Sequence, residues 1–598
     1  MKTFEGEVTY IPLSPPQVGL GYQGFDPRVE VLPKGWSKDG KKPLTCDILV
    51  EHDVGYKVRD GVTLYADVLR PPTGKVPAIV CWSPFGKKFN GSDALNLMAP
   101  YNLGLADDAL SGLEKFEAPD PAFWVEKGYA IVNVDNRGSF DSEGSCAVLG
   151  SQEGEDGHYV IECIAKEAWC SGSVGMAGNS HLAQSQWFIA AQRPPSLKAI
   201  APWEGCADMF RETFARGGIY SGDLFDKLIS KYVIHGREIE GIRAMFDKYP
   251  LANDYWNDKR AEIEKINIPT YITGTWSNTM HGMGSIRGWL KVDTSEKWLR
   301  FHPHQEWYDL WGNPDGIQEL LKFFDRYLKG IKNNWESTPR VRMASLKFGQ
   351  TQSVAGIVEE DFPIPNTKYT KAYLGPNERL TFDKPTDSLT LSYSATSQTD
   401  FLKFTHTFNK ATRIMGIPKA VLYMSCNEHD DMDIFIIIRK LSTTGEPMLC
   451  LNVPWEGLPV NTFDEIPEKL RTEVILYKGP TGILRASQRA IDHDKSIHPN
   501  WPFHPHDRDE RIPPGQIVKI EIGLWATGID FEAGEGVQFE VAGHFRGVAN
   551  FGNPEHVKNK GWHIVTSDQL TMPQGVGVTL DACPDVKRKS TAVKKSTE

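Results

Sequence analysis

The sequence predicts an α/β protein: a doubly wound, mostly parallel sheet with a helical cap, followed by an all-β jelly-roll sandwich. Three observations lead there. In the first half, short continuous apolar runs alternate with helical patterns, as strands buried on both faces do. Between Cys206 and Ile266 the apolar runs stop and the spacing is helical throughout. Beyond about Thr338 the runs become short, alternating and bounded by turn residues.

Taken in order, residues 1–45 are rich in Pro and Gly and read as an extended arm. The α/β domain opens at residue 46. Its "VRDGVTLYADVLRP" places two strands around a turn at Asp60-Gly61. "VPAIVCWSP", "YAIVNVDNRG", "SVGMAGNS" and "LKAIAPWEG" are buried-strand runs, and carry the domain to residue 205. Residues 206–266 form the helical insertion, with "DMFRETFARGG", "GDLFDKLISKYVIHG" and "IEGIRAMFDKY" at helical spacing. The α/β domain resumes over 267–337 with "IPTYITGTWS" and the amphipathic "GIQELLKFFDRYLKGI". Residues 338–582 make the jelly roll, with "KAVLYMSC", "DIFIIIRKL", "QIVKIEIGLWATG" and "GVQFEVAG" as strands. The basic, polar tail 583–598 is expected to be disordered.

Composition narrows the function classes. A chain of 598 residues exceeds what one core organises. A net charge of −11 argues against nucleic-acid binding, which calls for a basic surface. No apolar stretch approaches the ~20 residues of a membrane span, and the N-terminus lacks a signal-like run. Nine cysteines without a CxxC pair fit reduced thiols, so a cytoplasmic location is expected. Nothing implies a cofactor or a metal. His498, His504 and His506 in "SIHPNWPFHPHDRDE" read as a loop over the jelly roll. The expected partner is a small hydrophobic substrate, and a homo-oligomer is compatible with the chain.

The chemistry centres on "GMAGNSHLAQS". Ser180 lies between a buried strand and a helix, with small residues Gly178 and Ala183 around it. A serine on so sharp a turn is held in a strained conformation that lifts its hydroxyl above the sheet edge. The backbone N–H of His181 then faces the same space and can stabilise an oxyanion. A serine that merely caps the helix is the plainer reading of the same string. The His181 ring starts at the helix N-terminus and points away from the hydroxyl, which makes it a pocket-lining group rather than a base.

Several segments resemble the cocaine esterase/NonD type of α/β-hydrolase, related to X-Pro dipeptidyl-peptidases. They are the "VRDGVTLYADVLRP" hairpin, "WSPFGK", "VNVDNRGSFDSEG", "GNSHLAQSQW", "DMDIFIIIRKLSTTGE" and "LRASQRA". The resemblance implies an α/β-hydrolase domain with a helical cap and a C-terminal jelly roll. It also implies hydrolysis of esters or amides through a serine acyl-enzyme.

The pattern is broken at three catalytic positions. Phe85 stands where the family carries an oxyanion tyrosine, leaving the N–H of Phe85 or Gly86 as a substitute donor. Asn278 stands at the acid position, where an aspartate is usual, and can orient but not charge-stabilise a base. Glu306 stands at the histidine position, with His302 and His304 just before it and Asp309 just after. Three bases therefore compete: His281 oriented by Glu306 or Asp309, His302 or His304, and Glu306 itself with a raised pKa. Asp135 is a distant candidate acid, and Arg137 a support of the floor. Trp82, Trp203, Trp276 and Trp307, together with Phe85, are expected to line an apolar pocket. The function expected is a serine hydrolase of hydrophobic esters, lactones or amides. Ser180 would be its nucleophile, His281 its base and Glu306 the orienting group. The alternative is an isomerase, lyase or cyclase of specialised metabolism on the same scaffold.

Overall fold

The computed structural model describes residues 4–19, 22–278, 280–386, 389–548, 559–566 and 569–574. The expected disordered tail lies outside them. No helix among the described residues is long and apolar enough to cross a membrane.

The strands of the first half are β1 (Tyr10–Pro12), β2 (Val29–Leu32), β3 (Ile48–Lys57), β4 (Thr63–Arg70), β5 (Val76–Ser83), β6 (Ala130–Asp135), β7 (Cys170–Asn179), β8 (Leu197–Trp203), β9 (Glu238–Glu240), β10 (Thr270–Thr275), β11 (Lys297–His302), β12 (Val341–Ser345) and β13 (Val354–Glu359). Eleven of them form one sheet in the order β13-β12-β11-β10-β8-β7-β5-β6-β4-β3-β2. The run from β6 through β12 is parallel, and antiparallel pairs close both edges. The five sequence-predicted buried runs are β5, β6, β7, β8 and β10. Each is apolar on both faces because helices cover both sides. Among these helices are α1 (Gly91–Met98), α2 (Pro121–Glu126), α3 (Ser151–Ile164) and α4 (His181–Ala191). Every residue of α4 is buried, as expected of a helix sandwiched between sheet and cap.

Two expectations need correction. The arm is not merely extended: β1 pairs with β9 inside the stretch expected to be all-helical, and β2 joins the sheet edge at β3. An isolated strand has no partner for its backbone groups, so the arm and the insertion satisfy each other. Likewise β12 and β13, assigned from sequence to the jelly roll, extend the large sheet, with Leu299 opposite Val341. Otherwise the insertion consists of short helical pieces, Phe210–Phe214 and Phe225–Val233 with π-type turns, and the α-helices Ile242–Lys248 and Asp254–Asp258.

The C-terminal domain wraps thirteen strands between Lys368–Gly375 and Gln569–Gln574 into a jelly-roll sandwich. It packs directly on the cap. Arg211 Nε donates to the His504 carbonyl (3.0 Å), and Arg485 donates to the Gly218 carbonyl (3.1 Å). A Cβ on Gly217 would lie 2.2 Å from the Ile483 carbonyl oxygen, so the two backbones touch there. One hydrophobic core runs through the catalytic sheet, cap and sandwich.

Candidate active site

Ser180 sits between β7 and α4 with φ 52° and ψ −118°, a left-handed conformation that costs energy for a side-chain-bearing residue. Small neighbours make the turn possible. A Cβ on Gly178 (φ 134°) would fall 2.6 Å from Leu182 Cβ and 2.8 Å from the Glu117 carbonyl oxygen. One on Gly205 would fall 2.7 Å from Ala183 Cβ. The turn is pinned by the Ser180 N–H donating to the Glu204 carbonyl (3.1 Å) and the Asn179 N–H donating to the Glu117 carbonyl (3.0 Å).

Ser180 opens into a cavity of roughly 200 Å³. The α/β domain supplies the floor with Glu117, His181, Gln184, Asn278, His281 and Glu306. The cap supplies Phe214, Phe225 and Ile229, and the sandwich supplies Asn452, Val474 and Phe545. Phe85 and Trp307 line it as expected from sequence. Trp82, Trp203 and Trp276 do not. Trp82 is buried with its Nε1 donating to Glu153 (2.8 Å), Trp203 packs on Tyr271, and Trp276 stacks on Phe301 and donates to the Ala344 carbonyl (2.6 Å). Strand side chains alternate between faces, and these three point into the layers beside the sheet, not over its edge.

The floor is a cluster of carboxyls. Asn278 Nδ2 donates to both Glu204 Oε2 (2.9 Å) and Glu306 Oε2 (3.2 Å). Its Oδ1 accepts the backbone N–H groups of Met280 (2.9 Å) and His281 (3.2 Å). The Asn278 side chain is therefore fixed, and it fixes Glu306. Burial, then the nearby Glu204 and Glu117 carboxyls, raise the Glu306 pKa well above its usual range against the pull of Asn278. The Glu117 Oε1 accepts the Trp307 Nε1–H (3.2 Å), while its Oε2 is buried with no hydrogen-bond partner among the described residues, in the cavity that Ser180 and His181 also line. Burial pushes the Glu117 pKa up to about 8.

The histidines are placed differently from the sequence expectation. His281 Nε2 is 3.7 Å from Glu306 Oε2, so these two are brought together. Its Nδ1, however, faces Gln184 Nε2 (3.5 Å) and Cys206 Sγ (3.7 Å). Burial lowers the His281 pKa to about 3. His302 lies beneath the pocket, 2.8 Å from Glu204 Oε1 and 3.4 Å from Asp309 Oδ2. Asp309 is engaged by both terminal nitrogens of Arg300 (2.9 and 2.6 Å), which hold its carboxyl well below the usual range. His304 packs on Tyr308, with burial lowering its pKa to about 4. The His181 ring turns to Glu153 (3.4 Å) and edges Phe85.

The remaining candidates settle into structural positions. The Phe85 N–H is directed at Ser83 Oγ (3.4 Å), and Gly86 does not line the cavity, so neither replaces the missing tyrosine donor. Asp135 is buried against Lys87 (3.2 Å) away from the cavity, and Arg137 ties Asp60 to Asp156. His498 contacts Tyr369, and the Nδ1 atoms of His504 and His506 face the Ala490 carbonyl and Gln488.

Two functional-site residues were not singled out from sequence. Glu204 follows β8 directly, and a carboxylate at the carboxyl end of a parallel strand was a readable signal. Glu117 sits in the loop "EKFEAPD", where no pattern marks it.

Comparisons with known proteins agree with the resemblance. Residues 60–306 match the X-Pro dipeptidyl-peptidase (S15 family) model, and residues 333–568 match the model of the X-Pro dipeptidyl-peptidase C-terminal non-catalytic domain. A crystal structure of a CocE/NonD family hydrolase from Staphylococcus aureus is 30% identical, with a TM-score of 0.79 over 88% of this chain and 94% of that one. Cocaine esterase from Rhodococcus sp. (strain MB1 Bresler) is 26% identical over 444 residues, 64% of this chain and 71% of that protein. An α-amino acid ester hydrolase, 14% identical, shares the fold with a TM-score of 0.64 over 90% of this chain and 98% of that one.

Proposed function

Because the chain belongs to the CocE/NonD family of X-Pro dipeptidyl-peptidase-like serine hydrolases, we propose that it cleaves an ester, lactone or amide of a hydrophobic small molecule. The reaction runs through an acyl-enzyme on Ser180, with carboxyl groups doing the proton work usually given to an imidazole. The observation that carries this reading is the pairing of Glu306 with Asn278 at 3.2 Å beside the strained Ser180. It replaces the family's histidine–aspartate pair with a carboxyl–amide pair in the same places. The apolar cap and sandwich walls favour a hydrophobic acyl or leaving group.

In this reading Ser180 Oγ attacks the carbonyl carbon, and the His181 N–H receives the oxyanion. Absence of the tyrosine donor leaves the transition state short by about 3 kcal/mol relative to a two-donor site. A slow enzyme with a demanding, well-fitted substrate is the expected outcome. Labelling with a fluorophosphonate, read by intact mass, tests the nucleophile. One adduct on Ser180, absent in Ser180→Ala, supports it, whereas an unlabelled protein whose Ser180→Ala variant keeps its activity overturns it.

A second reading has an observation of its own. Glu117 and Glu306 both face the apolar cavity with raised pKa values. Such a pair can donate and accept protons without any acyl-enzyme, as an isomerase, lyase or cyclase requires. Turnover that survives Ser180→Ala would favour it.

A further inference from the structure

Each histidine near Ser180 has its ring directed elsewhere: His281 to Glu306, Gln184 and Cys206, His302 to Glu204 and Asp309, and His181 to Glu153. Glu117 lines the same cavity as Ser180 and His181, and its Oε2 is buried with no hydrogen-bond partner among the described residues. Its position is built into the elbow. Glu117 adopts φ 65°, its carbonyl accepts the Asn179 N–H (3.0 Å), and its Oε1 accepts the Trp307 Nε1–H (3.2 Å). The missing side chain at Gly178 leaves the room in which this loop approaches, since a Cβ there would meet the Glu117 carbonyl oxygen at 2.8 Å.

We propose that Glu117 is the general base of acyl transfer, with its unpartnered Oε2 as the atom that takes the proton. This rests on the reading of Ser180 as nucleophile. As Ser180 Oγ forms its bond to the carbonyl carbon, the hydroxyl proton passes to Glu117 and the carbonyl electron pair moves onto oxygen. Collapse of the tetrahedral intermediate breaks the bond to the leaving group, which takes the proton from Glu117. In the second half, water gives a proton to Glu117 as its hydroxyl adds to the acyl carbon. The bond to Ser180 Oγ then breaks and Oγ recovers that proton. Atoms and charge balance with no other reactant.

Glu306 has a separate part. Burial and the two carboxyls beside it favour its acid form. A base whose pKa is pushed to about 8 is active above that pH and inactive below it.

The test is the rate of fluorophosphonate labelling of Ser180, and of leaving-group release from a hydrophobic p-nitrophenyl ester, from about pH 6 to about 9.5. Wild type should show one ascending limb near pH 8. Glu117→Gln should slow both rates by about 10²–10⁴-fold and lose the limb. Glu117→Asp should keep part of the rate, with the limb displaced. Labelling of Glu117→Gln within about threefold of wild type, with the limb retained, would overturn the proposal, and a loss confined to Glu306→Gln would move the role there. Should Glu117→Gln fail to fold, an unmoved limb in Glu117→Asp overturns it equally. A wild-type Ser180 that never reacts while turnover persists sinks the acyl-enzyme reading itself, a result distinct from these.

Discussion

His281 Nε2 stands 3.7 Å from Glu306 Oε2, yet burial drives the imidazole toward its neutral form and the carboxyl toward its acid form. The pair has the look of a triad and the protonation of a spacer. With a pKa near 3, His281 is a poor proton acceptor at any working pH. His281→Gln is expected to keep kcat/KM within about tenfold of wild type and to leave the pH limb in place. A loss beyond about a thousandfold, measured on the same ester, would return the base to His281.

Restoring the family's pair should change the pH dependence. In the double variant Asn278→Asp/Glu306→His, an imidazole faces Ser180 with a carboxylate behind it. The ascending limb of kcat/KM is expected to fall from about 8 toward the ordinary histidine range of about 6–7. Asn278→Asp alone instead places a third carboxyl between Glu204 and Glu306. It should lower stability by about 2–4 kcal/mol in urea unfolding at pH 7.

Acid should unfold this protein early. His281, His304, His504 and His563 have pKa values lowered from 6.5 to about 3, 4, 4 and 3 by burial. The unfolded chain binds these protons below 6.5 while the folded one does not. The stability they contribute is thus complete above pH 6.5 and drains away as pH falls toward 3–4. Each fully buried imidazole contributes a slope of up to about 1.4 kcal/mol per pH unit. The urea midpoint should drop clearly between pH 7 and pH 5, and an unchanged midpoint would contradict the buried, neutral rings. Glu117 has the opposite sign. Its raised pKa stabilises the fold below about 4.5, and that contribution is lost as pH rises through about 8. Glu117→Gln should therefore outlast wild type at pH 9 by a few kcal/mol.

Gly178 couples the elbow to Glu117. Gly178→Ala puts a methyl into Leu182 and the Glu117 carbonyl at a backbone angle of φ 134°. Stability is expected to fall by about 3 kcal/mol or more, and kcat by more than KM rises, because Ser180 and Glu117 are displaced together. Thermal melting and steady-state kinetics on the same preparation would show it. A soluble variant with unaltered kcat would separate the loop from the chemistry.

Much of this was legible in the chain. Continuous apolar runs marked β5, β6, β7, β8 and β10 because burial on two faces removes alternation. The elbow was legible because steric crowding demands Gly178, Ala183 and a strained serine in fixed order. The altered positions Phe85, Asn278 and Glu306 stood out against the family pattern. The proton acceptor did not. Glu117 lies 63 positions before Ser180 in an irregular loop, and its role comes from a carbonyl contact with β7 that leaves no periodic trace. The tryptophans misled for a related reason. A strand end reveals which residue is near the sheet edge, but not which way alternate side chains turn there.

The cavity walls come from three parts of the chain, while the reacting groups come from one. Substitutions in the sandwich loops around Asn452, Val474 and Phe545 can reshape what enters without disturbing Ser180, Glu117 or Glu306. Such a division lets a lineage change its diet by mutating one half of the molecule while the other half keeps its chemistry. The same arrangement makes the sandwich indispensable to each descendant, since without it the cleft would be open to water along one side.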